Sequence, residues 1–379
     1  MFSRFDARIL IAAGGLALLV ALTALLAMTQ APIRSGARIA YLSPTRGPYN
    51  LYLVDPAAPD TPEQVTQAPN GVLDYAVSAD GRSIAYTEPR GTLGHAEIML
   101  LDLQSKRIIQ LTDCLTADAY CTTPAWRPDG TVLAYQRTEF NTALNLPPGA
   151  PRIWLLDLTS TPHNSFPLLQ DSQMLGAEPQ WSANGERLVF YESNSQSVLV
   201  YNFAALNDQD RLLSIPAGNG AVGVLSPDGT RLAFPEIVDG APFHAVLRLA
   251  DLTTGTITPL TEVEDIIDDN AAAWHPDGER VAVMRVYLDA RYTRGYQIYL
   301  MDVATRTARP LIEDAAYQHS AIAWSADGSW LALSRYRVID ATAETTPEIW
   351  AYALASGALT RVAADGFAPR WVNGVGTAQ

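Results

Sequence analysis

The densest group of residues able to do chemistry is Glu262, Glu264, Asp265, Asp268 and Asp269, five carboxylates within residues 262–270. Hard cations such as calcium take several oxygen ligands, but this spacing matches no calcium-loop pattern, so a solvated acidic loop is the favoured reading. A second group is Cys114 and Cys121, with six residues between them. Two thiols without a histidine nearby make a poor metal site. Outside the cytoplasm they are expected to form a disulfide, worth about 2.5 kcal/mol by loop entropy. Two cysteines and five histidines in all leave little room for a zinc cluster, and no cofactor is expected. Gly218-Asn219-Gly220-Ala221-Val222-Gly223 has the spacing of a phosphate-binding glycine loop. It runs into a strand, so no helix N-terminus is available for a phosphate. The chain contains neither a G-x-S-x-G nucleophile elbow nor an H-E-x-x-H zinc motif.

The elements that must position these residues come from one short sequence used repeatedly. Ser78-Ala79-Asp80-Gly81, Arg127-Pro128-Asp129-Gly130, Ser182-Ala183-Asn184-Gly185, Ser226-Pro227-Asp228-Gly229, His275-Pro276-Asp277-Gly278 and Ser325-Ala326-Asp327-Gly328 recur every 44 to 55 residues. Asp-Gly and Asn-Gly supply the positive φ angles of tight hairpin turns. A role shared by equivalent positions is structural, so these carboxylates are assigned to turns rather than to catalysis. An apolar strand ends at Trp126, Trp181, Trp274 or Trp324 just before the turn, and a second strand follows it, as in Leu133-Ala134-Tyr135. A third and a fourth strand complete each unit. The tryptophans are expected to wedge between units, since an aromatic buries roughly 150–250 Å². Four antiparallel strands per repeat of this length predict propeller blades.

The two ends of the chain are complementary. Residues 38–66 hold a second, third and fourth strand but no first; Pro369-Arg370-Trp371-Val372-Asn373-Gly374 is a first strand with a turn and nothing after it. Pairing them removes the open sheet edges. The expectation is an all-β, seven-bladed β-propeller over residues 38–374, closed by the C-terminal strand in the first blade. The pattern Pro-x-Trp-Ser-Pro-Asp-Gly-x-x-Leu-Ala-Tyr, followed by Ile-Tyr-Leu-x-Asp-Leu and a closing Leu-Thr, is carried by residues 124–158 and 273–303. It resembles the TolB-like propeller repeat. The resemblance implies an extracytoplasmic bacterial propeller that binds partners. Similar blades also cap prolyl-oligopeptidase-type hydrolases, whose α/β catalytic domain has no counterpart in this sequence.

Ile9–Met28 is twenty residues without a charge, about 30 Å as a helix, the thickness of a bilayer core. With Arg4 and Arg8 ahead of it, it reads as an uncleaved signal anchor over residues 1–28, in preference to a cleaved signal peptide. Residues 29–37 read as a linker and 375–379 as a tail. A net charge of −14 argues against nucleic acid as a partner.

In a four-stranded blade the connections alternate between the two faces of the disc. The turns between first and second strands are short here, as are most of those between third and fourth strands. The other two kinds of connection include long insertions such as residues 113–123, 137–151, 286–296 and 335–347. Most of the net negative charge falls on that elaborated face, with aromatics such as Phe140, Phe243, Tyr292 and Tyr317. The expected binding residues are those at the channel mouth on that side: Asp74, Glu178, Asp268, Asp269, Asn270, His319 and Arg370. The favoured function is a membrane-tethered, single-pass, non-catalytic platform for an envelope protein, a cell-wall component or a small ligand. The alternative is an enzyme processing carbohydrate or peptide at the channel mouth, which requires three or more polar side chains converging within about 4 Å.

Overall fold

The computed structural model describes residues 36–91, 94–218, 220–238, 243–261, 266–338 and 345–373. The expected anchor, residues 29–35 of the linker, the tail, and Glu262, Glu264 and Asp265 lie outside them. Among the described residues the chain forms strands and one short 3-10 turn, Thr142–Leu144, and no helix is long and apolar enough to cross a membrane. The fold is an all-β propeller.

The strands Arg38–Ser43, Asn50–Asp55 and Ala58–Gln64 join the C-terminal strand Phe367–Val372 in one antiparallel sheet. The C-terminal strand lies innermost, with Arg38 opposite Val372, Ile39 opposite Trp371 and Ala40 opposite Arg370. Residues 75–167 form an eight-stranded sheet whose two four-stranded halves meet through a single parallel pairing, Ala96 with Tyr120. Four further four-stranded sheets span residues 177–216, 224–259, 267–312 and 317–363, with their strands in sequence order.

The second strand of each unit shows how the sequence builds this. Successive side chains point to opposite faces. Leu133 and Tyr135 therefore pack with Ala85 and Ile98 of the preceding unit, while Ala134 packs with Leu188 and Phe190 of the next. Both faces are covered, so both must be apolar. The first sheet does the same across the chain ends: Leu42, Leu51 and Leu53 meet Ile84 and Tyr86, and Ile39, Tyr41 and Val54 meet Ala332, Ile349 and Ala351. The ring is closed by packing as well as by hydrogen bonds.

The turns keep their expected role with a different geometry. Only the glycines are left-handed, with φ between 67° and 73°; the preceding Asp or Asn keeps negative φ and acts through its side chain. At the first turn Ser78 Oγ donates to Asp80 Oδ1 at 2.7 Å, Arg82 N donates to the same oxygen, and Ser83 N donates to Ser78 Oγ. The tryptophans pack in the clusters between units, as expected of wedges, but the deepest aromatic positions are not theirs. Those positions are taken by Tyr41, Tyr86, Tyr135, Phe190 and Phe234 in the second strands. Trp126, Trp324 and Trp371 are half-buried and Trp274 is buried, and each reaches back to a carbonyl of the preceding inner strand: Trp126 Nε1 to Ala76, Trp274 to Val224, Trp324 to Ala273 and Trp371 to Ala323, at 3.0–3.2 Å. A second ring of bonds on the short-turn face was not anticipated. Arg127, Arg187, Arg231 and His275 each bond the carbonyl of the next unit's turn glycine, at 3.2, 2.8, 2.7 and 3.0 Å.

Candidate functional site

The inner strands enclose a central cavity of about 410 Å³, bounded in part by Tyr75, Pro124, Pro179, Gln180, Trp324 and Arg370. Ala326 and Asn373 also border it, which places it toward the short-turn end of the channel. Of the seven residues expected at the mouth, Arg370 alone lines it. Its guanidinium lies 5.9 Å from the centre of the Tyr75 ring.

The remaining six are held elsewhere. Asp74 accepts from Thr87 Oγ1 at 2.5 Å and from Thr123 N at 3.1 Å. Burial raises its pKa, opposed by those two bonds and by the charge of Arg370. Asp268 accepts from Ala245 N at 2.9 Å and from Tyr296 Oη at 2.6 Å, tying two long connections together. Asp269 is fully buried and forms a two-pronged pair with Arg285. Asn270 and Glu178 are exposed, and Glu178 has no hydrogen-bond or ion-pair partner among the described residues. His319 is fully buried; its Nδ1 bonds Tyr296 O at 2.9 Å, so Nδ1 carries the proton and Nε2 is left buried without a partner.

The His319 arrangement has a consequence for acid stability. Burial lowers its pKa from 6.5 to about 4, aided by the charge of Arg335 opposite it in the sheet and resisted by the bond to Tyr296. Above pH 6.5 the imidazole is neutral in the folded and unfolded chains alike. Between 6.5 and 4 the unfolded chain takes up a proton that the folded chain refuses. Stability is therefore expected to fall over that window by about 3 kcal/mol. His319→Gln should flatten this part of the profile, read as thermal midpoint against pH. A wild-type midpoint that does not move between pH 6.5 and 4.5 would contradict the assignment.

Cys114 and Cys121 are disulfide-bonded, with Cα atoms 6.2 Å apart. The loop they close is pinned further by Asp118. It bonds His95 Nε2 at 2.9 Å through one oxygen and Thr142 N and Oγ1 through the other. Those bonds, the one to His95 foremost and then that from Thr142 N, pull its carboxyl below the usual range. Among the described residues, no three or more His, Cys, Asp or Glu side chains are grouped to hold a metal ion.

Sequence reasoning missed the residues that fix the connections after four of the fourth strands. Glu97, at the head of a third strand, accepts from Thr112 Oγ1, Cys114 N and Leu115 N at 2.5–2.9 Å. Asn50 and Gln297 do equivalent work, accepting from Ala68 N and Asp314 N; Arg152 donates to Leu169 O. The available signal was a polar residue opening an otherwise apolar third strand in these repeats.

Comparison with known proteins agrees with this architecture. No curated protein matches the sequence. Among solved structures, TolB from Acinetobacter baumannii aligns over 89% of this chain and 67% of its own, with 16% identity and a TM-score of 0.49. A Mycobacterium tuberculosis puromycin-hydrolyzing peptidase aligns over 88% of this chain with 15% identity and a TM-score of 0.61; the chain spans 55% of that protein. The propeller domain of the Trilobed protease from Pyrococcus furiosus, described as having an open velcro topology, aligns over 77% of this chain and 82% of its own, with 12% identity and a TM-score of 0.54. At such identities the likeness carries the fold and nothing finer. The model of the TolB beta propeller domain matches residues 25–263, more than half of the sequence, and the chain belongs to that family.

Proposed function

We propose that the protein is a seven-bladed propeller, tethered to a membrane by residues 1–28 and lying on its extracytoplasmic side, that binds a protein or envelope component through its long-loop face. The count rests on seven core clusters, each shared by two neighbouring four-stranded units, which run once around the ring. The disulfide fits an oxidising compartment. Arg38, where the chain enters its first strand, pairs with Val372 at the short-turn end. A tether leaving there turns the long loops away from the bilayer.

The observation that carries the reading is where apolar side chains face water. Leu115, Leu144, Leu146, Phe243, Ile266 and Tyr292 are 46–69% exposed and sit in the long connections of one face; among the described residues the other face offers only Leu206 at that level of exposure or above, in the connection between the strands Ser197–Asn202 and Leu212–Pro216. Apolar side chains gathered on one face, set among acidic residues, suit a protein partner with a basic rim. Asp74, Asp268, Asp269 and His319, the groups an enzyme at the mouth would draw on, are instead engaged with their own scaffold.

Photo-crosslinking residues placed at Phe243 or Tyr292, compared with Asp129 or Ser356 on the short-turn face, test this in intact cells. A discrete adduct is expected from the first two positions and none from the others. Adducts of equal yield from both faces, or none from the long loops, would remove the support.

A further inference from the structure

A second and larger cavity, of about 550 Å³, lies away from the channel, between the outer parts of the two halves of the eight-stranded sheet. One wall is the segment running on from the strand Ile108–Gln110, including Leu111 and Asp113. The other is formed by the strands Val132–Glu139, Arg152–Asp157 and Asn164–Pro167. The two-residue alternation brings Tyr135 and Arg137 to the same face of the first of these. The floor is apolar: Leu111, Tyr135 and Leu156 belong to one core cluster.

Among the polar residues around that floor, the two that carry formal charge, Arg137 and Asp113, are opposite in sign. The Arg137 guanidinium stacks on Trp154, 4.2 Å from the ring centre, and its Nε is buried without a hydrogen-bond partner. Its one ion pair among the described residues is with Glu139, at 3.2 Å; the Glu139 side chain is 64% exposed, so solvent screens the pair and leaves it weak. Asp113, on the facing wall, is exposed. The disulfide fixes the spacing of the two walls: Cys114 follows Asp113, and Cys121 lies directly opposite Arg137 across the sheet. Tyr135 Oη and Ser165 Oγ share a hydrogen bond of 2.6 Å, which leaves a hydroxyl proton or lone pair for a guest. His163 Nδ1 donates to Ser160 O at 2.9 Å, leaving its Nε2 as an acceptor.

A planar guanidinium held by a weak, screened ion pair matches a carboxylate, a carboxylate on the facing wall matches an ammonium, and the apolar floor between them matches a hydrocarbon side chain. The volume suits a guest of a few hundred daltons. We propose that this groove binds a short zwitterionic peptide, of two or three residues, with its terminal carboxylate on Arg137, its ammonium toward Asp113 and an apolar side chain over Leu111 and Leu156. The inference does not rest on the long-loop reading, although the groove borders that face through Asp113 and Arg137, where the 113–123 and 137–151 connections begin.

Isothermal titration of the full-length protein in detergent micelles with alanyl-leucine tests it, alongside N-acetyl-alanyl-leucine and alanyl-leucine amide. The free dipeptide is expected to give a saturable isotherm. Blocking either terminus should weaken binding about ten-fold, the scale of one lost charge-assisted bond. Arg137→Gln should weaken the free dipeptide while leaving the amide unchanged. Asp113→Arg, at an exposed position that folding tolerates, should weaken the free dipeptide and leave the acetylated form at least as tightly bound. No saturable heat up to about 20 mM, a weak limit on affinity, would overturn the proposal. Equal binding of all three compounds, or wild-type binding by Asp113→Arg, would do the same.

Discussion

A chain ending at Asp365 is expected not to reach the folded state. The deletion removes the inner strand Phe367–Val372 and leaves Arg38–Ser43 as an exposed sheet edge with its backbone groups unpaired. It also removes bonds that cross the closure in both directions: Trp371 Nε1 to Ala323 O at 3.0 Å toward the last sheet, and Tyr75 Oη to Ala368 O at 2.6 Å toward the second. Val372 is lost from the core between the first and second units. Total stability of a domain is about 5–15 kcal/mol, and losing a sheet's inner strand with its packing consumes a margin of that size. Trp371→Ala is a milder case, because the ring is half-buried: a loss of about 2–3 kcal/mol with the fold retained. Size-exclusion chromatography and circular dichroism distinguish the two, with aggregate expected for the deletion and a lowered melting point for the substitution. Supplying residues 366–373 as a separate peptide should restore β-structure to the shortened chain if closure is what it lacks. A soluble deletion variant melting at the wild-type temperature would show that the ring does not depend on its closing strand.

The ring was legible in the sequence for a local reason. Each Ser-x-Asp-Gly turn is a self-contained hydrogen-bonded unit, so its spacing alone marks the repeats, and the incomplete repeats at the two ends point to each other. The site was less legible because side-chain direction in the inner strands is set by bulges. Thr123, Glu178 and Ala368 take left-handed φ angles of 50°, 54° and 52° at matching places, and the pairing slips between Asp269 and Ala271 and between His319 and Ala321. One extra residue in a strand turns the side chains before it to the other face. Asp269 and His319 precede such slips, and both end up in the interior. Arg370, beyond the bulge of its strand, remains in the channel. No periodicity in the sequence marks these slips, since the left-handed positions are filled by Thr, Glu and Ala rather than glycine. Partners from neighbouring connections, such as Tyr296 for Asp268, are likewise set by packing and invisible to spacing.

The second large effect is expected at Asp269. Its two oxygens accept from Arg285 Nε and Nη2, both at 2.8 Å, and Thr261 Oγ1 donates to one of them at 2.8 Å. The two side chains are 0% and 7% exposed. Forming such a pair gains little over an apolar pair of similar size, but breaking it strands a buried charge, at a cost of about 3–5 kcal/mol. Asp269→Ala should therefore be among the most damaging single substitutions in the chain. The rings of Tyr287 and Tyr299, with centres 5.8 and 5.5 Å from the guanidinium, give Arg285 residual support and place the value toward the lower end. The decisive comparison is Asp269→Leu with Arg285→Met. If the cost of either single change is the stranded partner, the double variant should be more stable than each single variant, a strong departure from additivity readable by chemical denaturation. Costs that simply add would mean that the two residues act independently and that the pair is not what holds this sheet. Asp269 also anchors Thr261, where the chain leaves for the acidic connection of the long-loop face. The double variant, which lacks that anchor but keeps the core, would therefore report whether crosslinking from Phe243 depends on how this connection is held.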